Sequence, residues 1–427
     1  MGEETQAARR GSPGSPGSGS RRGWTRRRFV GALGAAAAAS ALAGCGADGD
    51  GAPSGARAER RGAPPRQPSS SAGQQASPAP SPGPSGARPL YLGTYTSAQG
   101  GGEGIGVASY DRASGRITGR STITGVPDPS YLAVHPDGAT LYAVNERERG
   151  AVTAVRLADG KVLGSRATGG AATCHLSVHP GGRWLLSADF GSGTVAVHPI
   201  EASGALGERT DLVEHTRPTP RPGQQGPHAH QFITAPDGGH VLAVDFGTDT
   251  VYSYRLDDRT GVLTEVAQAH TRTGAGPRHL TFHPGGRHAY LANEADDTVA
   301  VCAYEPSSGR LTIGRPQSTG SKADANYPAQ LAVTPDGAYA FLANRGDDTV
   351  ARYAVEAAGA RLRLLGTTPV EGDFPRQIAL SPDGGLLFAA NQRSGTVSVF
   401  RVDGARGGLR LAGEPFASPV AVCALPL

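Results

Sequence analysis

Short alternating apolar strands, each flanking the same kind of turn, repeat along the chain from about Leu90 onward. Leu280-Thr281-Phe282-His283 precedes one such turn, and Ala289-Tyr290-Leu291-Ala292-Asn293 follows it. Pro followed by Asp-Gly or Gly-Gly suits a tight hairpin, because Pro presets φ and Gly accepts a positive φ. The turn prolines recur about every 50 residues, a period typical of propeller blades. They are Pro136, Pro180, Pro236, Pro284, Pro335 and Pro382.

Each repeat contains four strands. A third strand follows a Gly/Asp turn, as in Thr298-Val299-Ala300-Val301, and a fourth follows a Gly-bearing loop, as in Arg310-Leu311-Thr312-Ile313. Four antiparallel strands per repeat predict a propeller blade. The chain ends supply a further blade, because the C-terminal strand at 419–423 can pair with N-terminal strands at 90–94 and 105–110 and leave no open edge. We therefore predict an all-β fold in which residues 89–427 form a seven-bladed β-propeller.

The start of the chain has the features of an export signal. Arg26 and Arg27 precede an apolar run over residues 30–43, which is too short to span a bilayer comfortably and favours a Tat-type signal peptide. The run ends in Leu42-Ala43-Gly44-Cys45, which resembles a lipobox with Cys45 as the lipidated residue. Residues 1–45 are thus predicted to be a lipoprotein signal peptide.

Residues 46–88 are predicted to be a disordered linker, because Pro, Ser, Gly and Ala without periodicity cannot bury enough apolar surface to fold. The expected protein is lipid-anchored on the outer face of the cell membrane or secreted. It would contact the membrane only through the lipid.

Charge is divided unevenly along the chain. Its net charge is +4, yet residues 1–88 hold twelve arginines and five acidic residues, so the predicted propeller is mildly acidic. A mildly acidic body without a basic stripe argues against nucleic acid as a partner. Its three cysteines, Cys174, Cys302 and Cys423, lie in or beside apolar strands and are predicted to be buried free thiols.

Two sets of polar residues fall at equivalent positions when each repeat is numbered from its turn proline. One set ends the second strand and the other begins the first strand. Since the hairpin lies at the opposite end of the ring, both sets should surround one mouth of the central channel. They include Glu146, His175, His230, Arg278, His279, Asn293, Glu294, Arg345, Arg376 and Gln377.

These residues support both structural and functional interpretations. Recurrent Asn and Asp residues, such as Asn293, cap turns in many blades. The charged residues differ between blades and are not interchangeable caps. His228 and His230 share a strand face, but no further residue has zinc-ligand spacing, so no metal site is predicted. Arginines, an acid and histidines at one mouth suit an anionic ligand and proton transfer, although a propeller that only binds would look similar.

Residues 89–427 resemble the lactonase-type propellers, the group that includes 6-phosphogluconolactonases and carboxymuconate-lactonizing enzymes. The resemblance rests on several stretches along the propeller. They are Leu141-Tyr142-Ala143-Val144-Asn145-Glu146, Gly226-Pro227-His228-Ala229-His230, Gly274-Ala275-Gly276-Pro277-Arg278-His279-Leu280, Tyr290-Leu291-Ala292-Asn293-Glu294, Leu342-Ala343-Asn344-Arg345-Gly346 and Phe374-Pro375-Arg376-Gln377.

The resemblance implies a monomeric lactone hydrolase that needs no cofactor and opens a sugar-type lactone. Glu294 or His230 would activate water, while Arg278 would stabilise the oxyanion. Arg345 or Arg376 would hold a carboxylate or phosphate. The implied catalytic residues are His230, Arg278, Glu294 and Arg345. From their positions around the mouth, the residues predicted to bind substrate are Glu146, His175, His228, His279, Asn293, Arg376 and Gln377.

The chain also departs from the family pattern. Gln330 stands where an acidic residue is frequent, and Asp189-Phe190 stands where Asn-Tyr is frequent. These departures, together with the export signal, favour the alternative of a non-catalytic ligand-binding or surface-interaction propeller. A third alternative, lactone formation from an unsaturated diacid, would use the same arginines. Fold alone does not decide among them.

Overall fold

The computed structural model describes residues 86–216 and 226–427. The predictions for the signal peptide, Cys45 and nearly all of the linker lie outside these residues. Among the described residues no helix is long and apolar enough to cross a membrane. The first strand begins at Ala87, slightly before the predicted start of the propeller.

The described residues form seven antiparallel sheets, which we number as blades 1 to 7. Blade 1 contains β1 (Ala87–Thr94), β2 (Gly104–Asp111), β3 (Ile117–Thr124) and the C-terminal strand β30 (Ala421–Pro426). Blade 2 contains β4 (Leu132–Val134), β5 (Thr140–Asn145), β6 (Ala151–Arg156) and β7 (Lys161–Ala167). Blade 3 contains β8 (Thr173–Val178), β9 (Trp184–Asp189), β10 (Thr194–Pro199) and β11 (Asp211–Glu214). Blade 4 contains β12 (Ala229–Thr234), β13 (His240–Asp245), β14 (Thr250–Leu256) and β15 (Leu263–His270).

The remaining blades follow the same plan, with interrupted outer strands in blades 5 and 7. Blade 5 contains β16 (Pro277–Phe282), β17 (His288–Asn293), β18 (Thr298–Glu305), β19 (Arg310–Ile313) and β20 (Gln317–Ser318). Blade 6 contains β21 (Tyr327–Val333), β22 (Tyr339–Arg345), β23 (Thr349–Glu356) and β24 (Arg361–Pro369), with a 3₁₀ turn at Ala357–Gly359. Blade 7 contains β25 (Pro375–Leu380), β26 (Leu386–Asn391), β27 (Thr396–Asp403), β28 (Gly408–Leu411) and β29 (Phe416–Ala417).

The predicted all-β, seven-bladed fold is confirmed, including the closure of the ring. β30 pairs antiparallel with β1, with Leu90 opposite Pro426 and Leu92 opposite Ala424. Adjacent blades contact one another mainly through their first strands, and β25 of blade 7 packs against β30 of blade 1. Closure therefore gives blade 1 the same four-strand order as the other blades, with β30 as its first strand beside the channel.

The apolar core is a series of layers between neighbouring blades. Every residue of β9 is buried, because blades 2 and 4 cover both faces of blade 3. Leu186 and Val195 of blade 3 belong to the same apolar cluster as Phe232 and Tyr254 of blade 4. A blade is consequently stable only between its two neighbours, as in other repeat architectures.

Hydrogen bonds from side chains to the main chain also connect the first strands of neighbouring blades. Gln377 in blade 7 donates from Nε2 to the Ala424 carbonyl at 3.2 Å, and its Oε1 accepts from the Ala424 N–H at 2.9 Å. Gln231 in blade 4 makes the same pair of bonds to Leu280 in blade 5. These bonds hold the walls of the channel at fixed spacing.

Deleting residues 419–427, which include β30, should prevent the propeller from folding. The deletion exposes the apolar edge of β1 and removes the main-chain partner of Gln377. We expect an insoluble protein, or one without a cooperative thermal transition by circular dichroism. Deleting only Leu427, which makes one main-chain bond to Pro89, serves as the control. A soluble, cooperatively melting 419–427 deletion would contradict closure by β30.

Candidate functional site

A β-bulge at the same place in successive first strands directs side chains into one mouth of the channel. In β16, Pro277 faces Asn293 and His279 faces Ala292, so Arg278 is the extra residue. The equivalent extra residues are Cys174 in β8, His230 in β12 and Arg376 in β25. In β21 the register shifts between Pro328 and Leu331, a segment that contains Ala329 and Gln330. Bulges commonly re-aim side chains in this way.

Glu294, Arg278 and Arg345 form the first charged cluster of the mouth. Arg345 Nη2 donates to Glu294 Oε2 at 2.5 Å, and Arg345 Nε donates to the carbonyl of Tyr327 at 3.0 Å. Arg278 Nε lies 3.0 Å from the same carboxylate oxygen, although its N–H is not aligned for a hydrogen bond. The Arg278 and Arg345 side chains are 3% and 5% exposed, and that of Glu294 is 21% exposed. The cluster is held rigidly and opens toward solvent at Glu294.

Charge coupling determines the ionisation of this Glu294 cluster. Burial alone would raise the pKa of Glu294, but the charges of Arg345 and Arg278 outweigh it, so this pKa lies below its ordinary value. Burial, followed by the charge of Arg345, lowers the pKa of Arg278 to about 9. The cluster therefore contains one carboxylate and two guanidinium ions at neutral pH. Within the described residues, Arg278 Nη1 is buried and has no hydrogen-bond partner.

Glu146 organises a second charged cluster. Its Oε2 accepts from Tyr95 Oη at 2.7 Å and from Ser130 Oγ at 2.5 Å. Arg376 Nη2 lies 3.6 Å from Glu146 Oε1, and the guanidinium carbon lies 5.5 Å from the centre of the Tyr95 ring. Burial would lower the pKa of Arg376, but Tyr95 and Glu146 reverse the effect and raise it. The charge of Arg376 also lowers the pKa of Glu294, so the two clusters share one mouth.

Tyr95 is a member of this mouth that the sequence analysis missed. It directly follows β1, the second strand in order from the channel in blade 1. Glu146 and Glu294 follow the second strands of blades 2 and 5 in the same way. Blade 1 has no Pro-Asp-Gly turn between its first two strands, so counting from prolines passed over Tyr95. Aligning the strand ends instead would have found it.

Three histidines line the interior beside the Glu294 cluster. The His230 and His279 rings lie 5.2 Å apart, and the His175 and His279 rings lie 5.5 Å apart. Burial, followed by the charge of Arg278, lowers the pKa of His175 to about 3 and the pKa values of His230 and His279 well below their ordinary range. All three imidazoles are consequently neutral at pH 7.

His228 belongs to an aromatic side of the mouth. Its ring stacks on Phe190 at 4.6 Å, and its Nδ1 lies 2.7 Å from the Phe190 carbonyl. Phe246 lies 6.0 Å from Phe190, and His230 meets the edge of the Phe190 ring at 5.7 Å. Among the residues that the structure describes, no group of three or more His, Cys, Asp or Glu side chains is arranged to hold a metal ion.

Two of the residues predicted to bind substrate, Gln377 and Asn293, make contacts within the propeller itself. Both polar atoms of the Gln377 amide bind the main chain of Ala424, which favours a structural role. Asn293 Nδ2 donates to Thr298 Oγ1 at 2.9 Å within the turn that follows β17. This contact supports the turn-capping interpretation of Asn293.

Cys174, Cys302 and Cys423 are free and buried, as predicted. Cys174 occupies the bulge of β8, and its Sγ lies 3.5 Å from the His230 carbonyl. Burial raises the pKa of Cys174, so it is a thiol rather than a reactive thiolate at neutral pH.

A cavity of 720 Å³ lies away from the mouth, on the flank between the outer strands of blades 5 and 6. Arg315, Arg361 and His288 border it. This cavity contains no residue of the two charged clusters. Because those clusters contain buried charged side chains that can contact a ligand, the mouth is the stronger candidate for the functional site.

Comparison with known proteins places the chain among propellers of one family. A family described as lactonase, seven-bladed β-propeller, matches residues 89–426. A 6-phosphogluconolactonase of Bacillus subtilis is 31% identical over 290 residues, which is 66% of this chain and 82% of the relative. The solved structure of a periplasmic gluconolactonase from Pseudomonas aeruginosa is 30% identical, with a TM-score of 0.73, over 80% of this chain and 99% of its own. A Lactobacillus plantarum protein of known structure is 31% identical, with a TM-score of 0.75, over 80% and 99% of the two chains.

Replacing Glu294 by Gln should destabilise the protein at neutral pH by about 3 kcal/mol, because two buried guanidinium ions lose their counterion. The folded-state pKa of Glu294 is depressed, so its stabilisation is present above the unfolded-state pKa of about 4.3 and is lost as the pH falls through the folded-state value. Denaturant unfolding at several pH values should show the difference between wild type and Glu294→Gln narrowing in acid.

Glu305→Gln is the matched control for this measurement. Glu305 lies in β18 of the same blade and pairs with Arg310, but the two side chains are 49% and 66% exposed. Exposed pairs contribute little, so Glu305→Gln should unfold like the wild type. Equal stability of Glu294→Gln and wild type at pH 7 would contradict the buried cluster.

Proposed function

The chain belongs to the seven-bladed β-propeller lactonase family, and on that premise we propose that it hydrolyses a sugar-type lactone with an anionic substituent. One observation carries the proposal: the unpartnered Nη1 of Arg278 lies in the interior that also holds the neutral His230. Lactone hydrolysis needs these two functions together, a base for water and a fixed donor for the oxyanion. The names of the relatives from B. subtilis and P. aeruginosa both support a sugar-type lactone, and the B. subtilis name includes a phosphate.

The proposed reaction assigns a role to each group of the Glu294 cluster. A water oxygen attacks the lactone carbonyl carbon while one water proton passes to His230. Arg278 Nη1 donates to the oxyanion that forms on the carbonyl oxygen. The ring C–O bond then breaks, and the departing alkoxide takes the proton from His230, which gives an open-chain hydroxy acid. Glu294 keeps Arg278 and Arg345 in place through its carboxylate.

Arg376 and Arg345 are proposed to hold the anionic substituent. Together the two clusters contain Arg278, Arg345 and Arg376 against Glu294 and Glu146, so one positive charge is left uncompensated. Guanidinium groups recognise phosphate and carboxylate oxygens through paired hydrogen bonds. A phosphate or carboxylate on the lactone would complete the charge balance of the mouth.

The proposed setting is outside the cytoplasm. The Arg26-Arg27 pair and the lipobox-like sequence at Cys45 support export and lipid anchoring. The P. aeruginosa relative is called periplasmic, which supports the same location. The substrate would then be a lactone available at the cell surface.

A binding-only propeller is the second candidate function. It is favoured by the charge pairs at the mouth, since Glu294 and Glu146 already have cationic partners without a ligand. In that case the mouth would bind an anionic sugar-like ligand and leave it unchanged.

Incubating the purified protein with a panel of neutral, carboxylated and phosphorylated lactones should release protons faster than buffer alone. Arg278→Ala should reduce kcat/KM by about 100-fold, the usual effect of losing an oxyanion donor. Arg310→Gln, an exposed arginine of the same blade, should have no effect. Calorimetric binding of the open-chain acids without turnover of any lactone would establish the binding-only alternative. Full activity of Arg278→Ala would remove the proposed mechanism.

The pH profile of kcat/KM should have its acid limb below the ordinary histidine pKa of about 6.5. His230 acts as a base only when unprotonated, and its lowered pKa keeps it so in mildly acidic solution. We therefore expect activity to be retained at pH 5.5 to about the extent seen at pH 7, after subtraction of spontaneous hydrolysis. His230→Gln should abolish the activity, and an acid limb near or above pH 6.5 would argue against His230.

A further inference from the structure

Two side chains from nearly opposite blades meet inside the channel. Tyr131 directly precedes β4 in blade 2, and Gln330 lies in the bulged segment of β21 in blade 6. Gln330 Nε2 donates to Tyr131 Oη at 3.3 Å. Blades 2 and 6 are separated by blades 7 and 1 on one side of the ring and by blades 3, 4 and 5 on the other. This hydrogen bond therefore crosses the channel.

The half-buried Tyr131 ring lies beside two of the histidines. Its centre lies 4.3 Å from the His175 ring and 6.2 Å from the His279 ring. The two imidazoles, from blades 3 and 5, lie 5.5 Å apart in an edge-to-face arrangement. We call Tyr131, His175, His279 and Gln330 the channel layer, and its members come from four of the seven blades.

The channel layer borders the candidate site. His279 follows Arg278 in sequence, and its ring lies 5.2 Å from that of His230. Across the part of the chain that the structure describes, five atoms here are buried without hydrogen-bond partners: Arg278 Nε and Nη1, His230 Nδ1, His279 Nδ1 and Gln330 Oε1. Buried polar atoms are rarely left without partners. Their concentration here indicates that a ligand oxygen or a bound water completes the boundary between site and layer.

Water is largely excluded from the histidines of the layer. His175 and His279 are each 2% exposed, and burial is the largest cause that lowers their pKa values, ahead of the charge of Arg278. An open channel would hydrate both rings from the opposite end of the propeller. The charged and titratable groups around the two imidazoles are Tyr131 from blade 2, His230 from blade 4, Arg278 from blade 5, Arg345 from blade 6 and Arg376 from blade 7.

We propose that Tyr131 is a positioning residue that closes the central channel behind the candidate site, so that solvent and ligand reach it through one mouth only. The phenol ring fills the space beside His175 and His279, and its hydroxyl group reaches Gln330 on the far wall. The site is then a pocket that is open at one end only. Uncharged hydrogen-bonding side chains form its closed end, and charged side chains surround its opening. This closure does not depend on lactone hydrolysis, since a binding-only propeller would use the same pocket.

Tyr131→Ala in the full chain tests the closure. Deuterium exchange at the imidazole C2 carbon, followed by mass spectrometry over a range of pH, reports the pKa and the solvent access of each histidine. In Tyr131→Ala we expect the pKa of His175 to rise from about 3 toward the ordinary value of about 6.5, with faster exchange at His279. Tyr131→Phe keeps the ring and is the matched control, in which both histidines should exchange as in the wild type.

Gln330→Ala provides a second opening of the channel if Tyr131→Ala does not fold, as judged by its thermal unfolding. It removes the Gln330 side chain from the far wall and leaves the Tyr131 ring against His175, so it should increase exchange at His279 more than at His175. Unchanged exchange at both histidines in a folded Tyr131→Ala or Gln330→Ala protein would overturn the proposal. Lactone turnover is not needed for this measurement, so its outcome is separate from that of the hydrolase proposal.

Discussion

Antiparallel pairing between β30 and β1 joins the two ends of the described propeller, and the geometry of the mouth depends on it. The seven first strands form the wall of the channel, and each is positioned by its neighbours on both sides. Gln377 binds both main-chain groups of Ala424 in β30, so the closing strand is held by blade 7 as well as by β1. Without this closure the bulged residues of blades 3 to 7 would not face a common space.

Electrostatics at the mouth follow from that enclosed geometry. The side chains of Arg278 and Arg345 are almost wholly buried, and in a poorly solvated environment they require the carboxylate of Glu294 as a counterion. The same burial keeps His175, His230 and His279 neutral, because protonating an imidazole beside Arg278 without solvation is unfavourable. Guanidinium groups and neutral imidazoles therefore coexist in the same interior.

Charged, aromatic and uncharged polar side chains occupy separate zones of the interior, and this arrangement bears on what the interior can bind. Arg376, Arg345 and the two acids form a charged rim, and Phe190, His228 and Phe246 form an aromatic side. The channel layer below is uncharged and hydrogen-bonding. The proposed substrate, a sugar-type lactone with hydroxyl groups, an apolar face and one anionic substituent, would complement these three surfaces.

Four features of the fold could be derived from the sequence alone: four strands in each blade, seven blades, the closure of the ring, and the end of the ring that bears the polar residues. This was possible because alternating apolar and polar residues and Pro-Asp-Gly turns are local signals that repeat. The sequence could not determine how the polar residues group into clusters, because that grouping depends on contacts between blades. Only the tertiary structure pairs Glu294 with Arg278 and Arg345, adds Tyr95 to Glu146, and commits Gln377 to the main chain. The bulges that aim Arg278 and His230 into the mouth are visible only in the strand register, and the Tyr131–Gln330 contact joins blades that are far apart in the sequence.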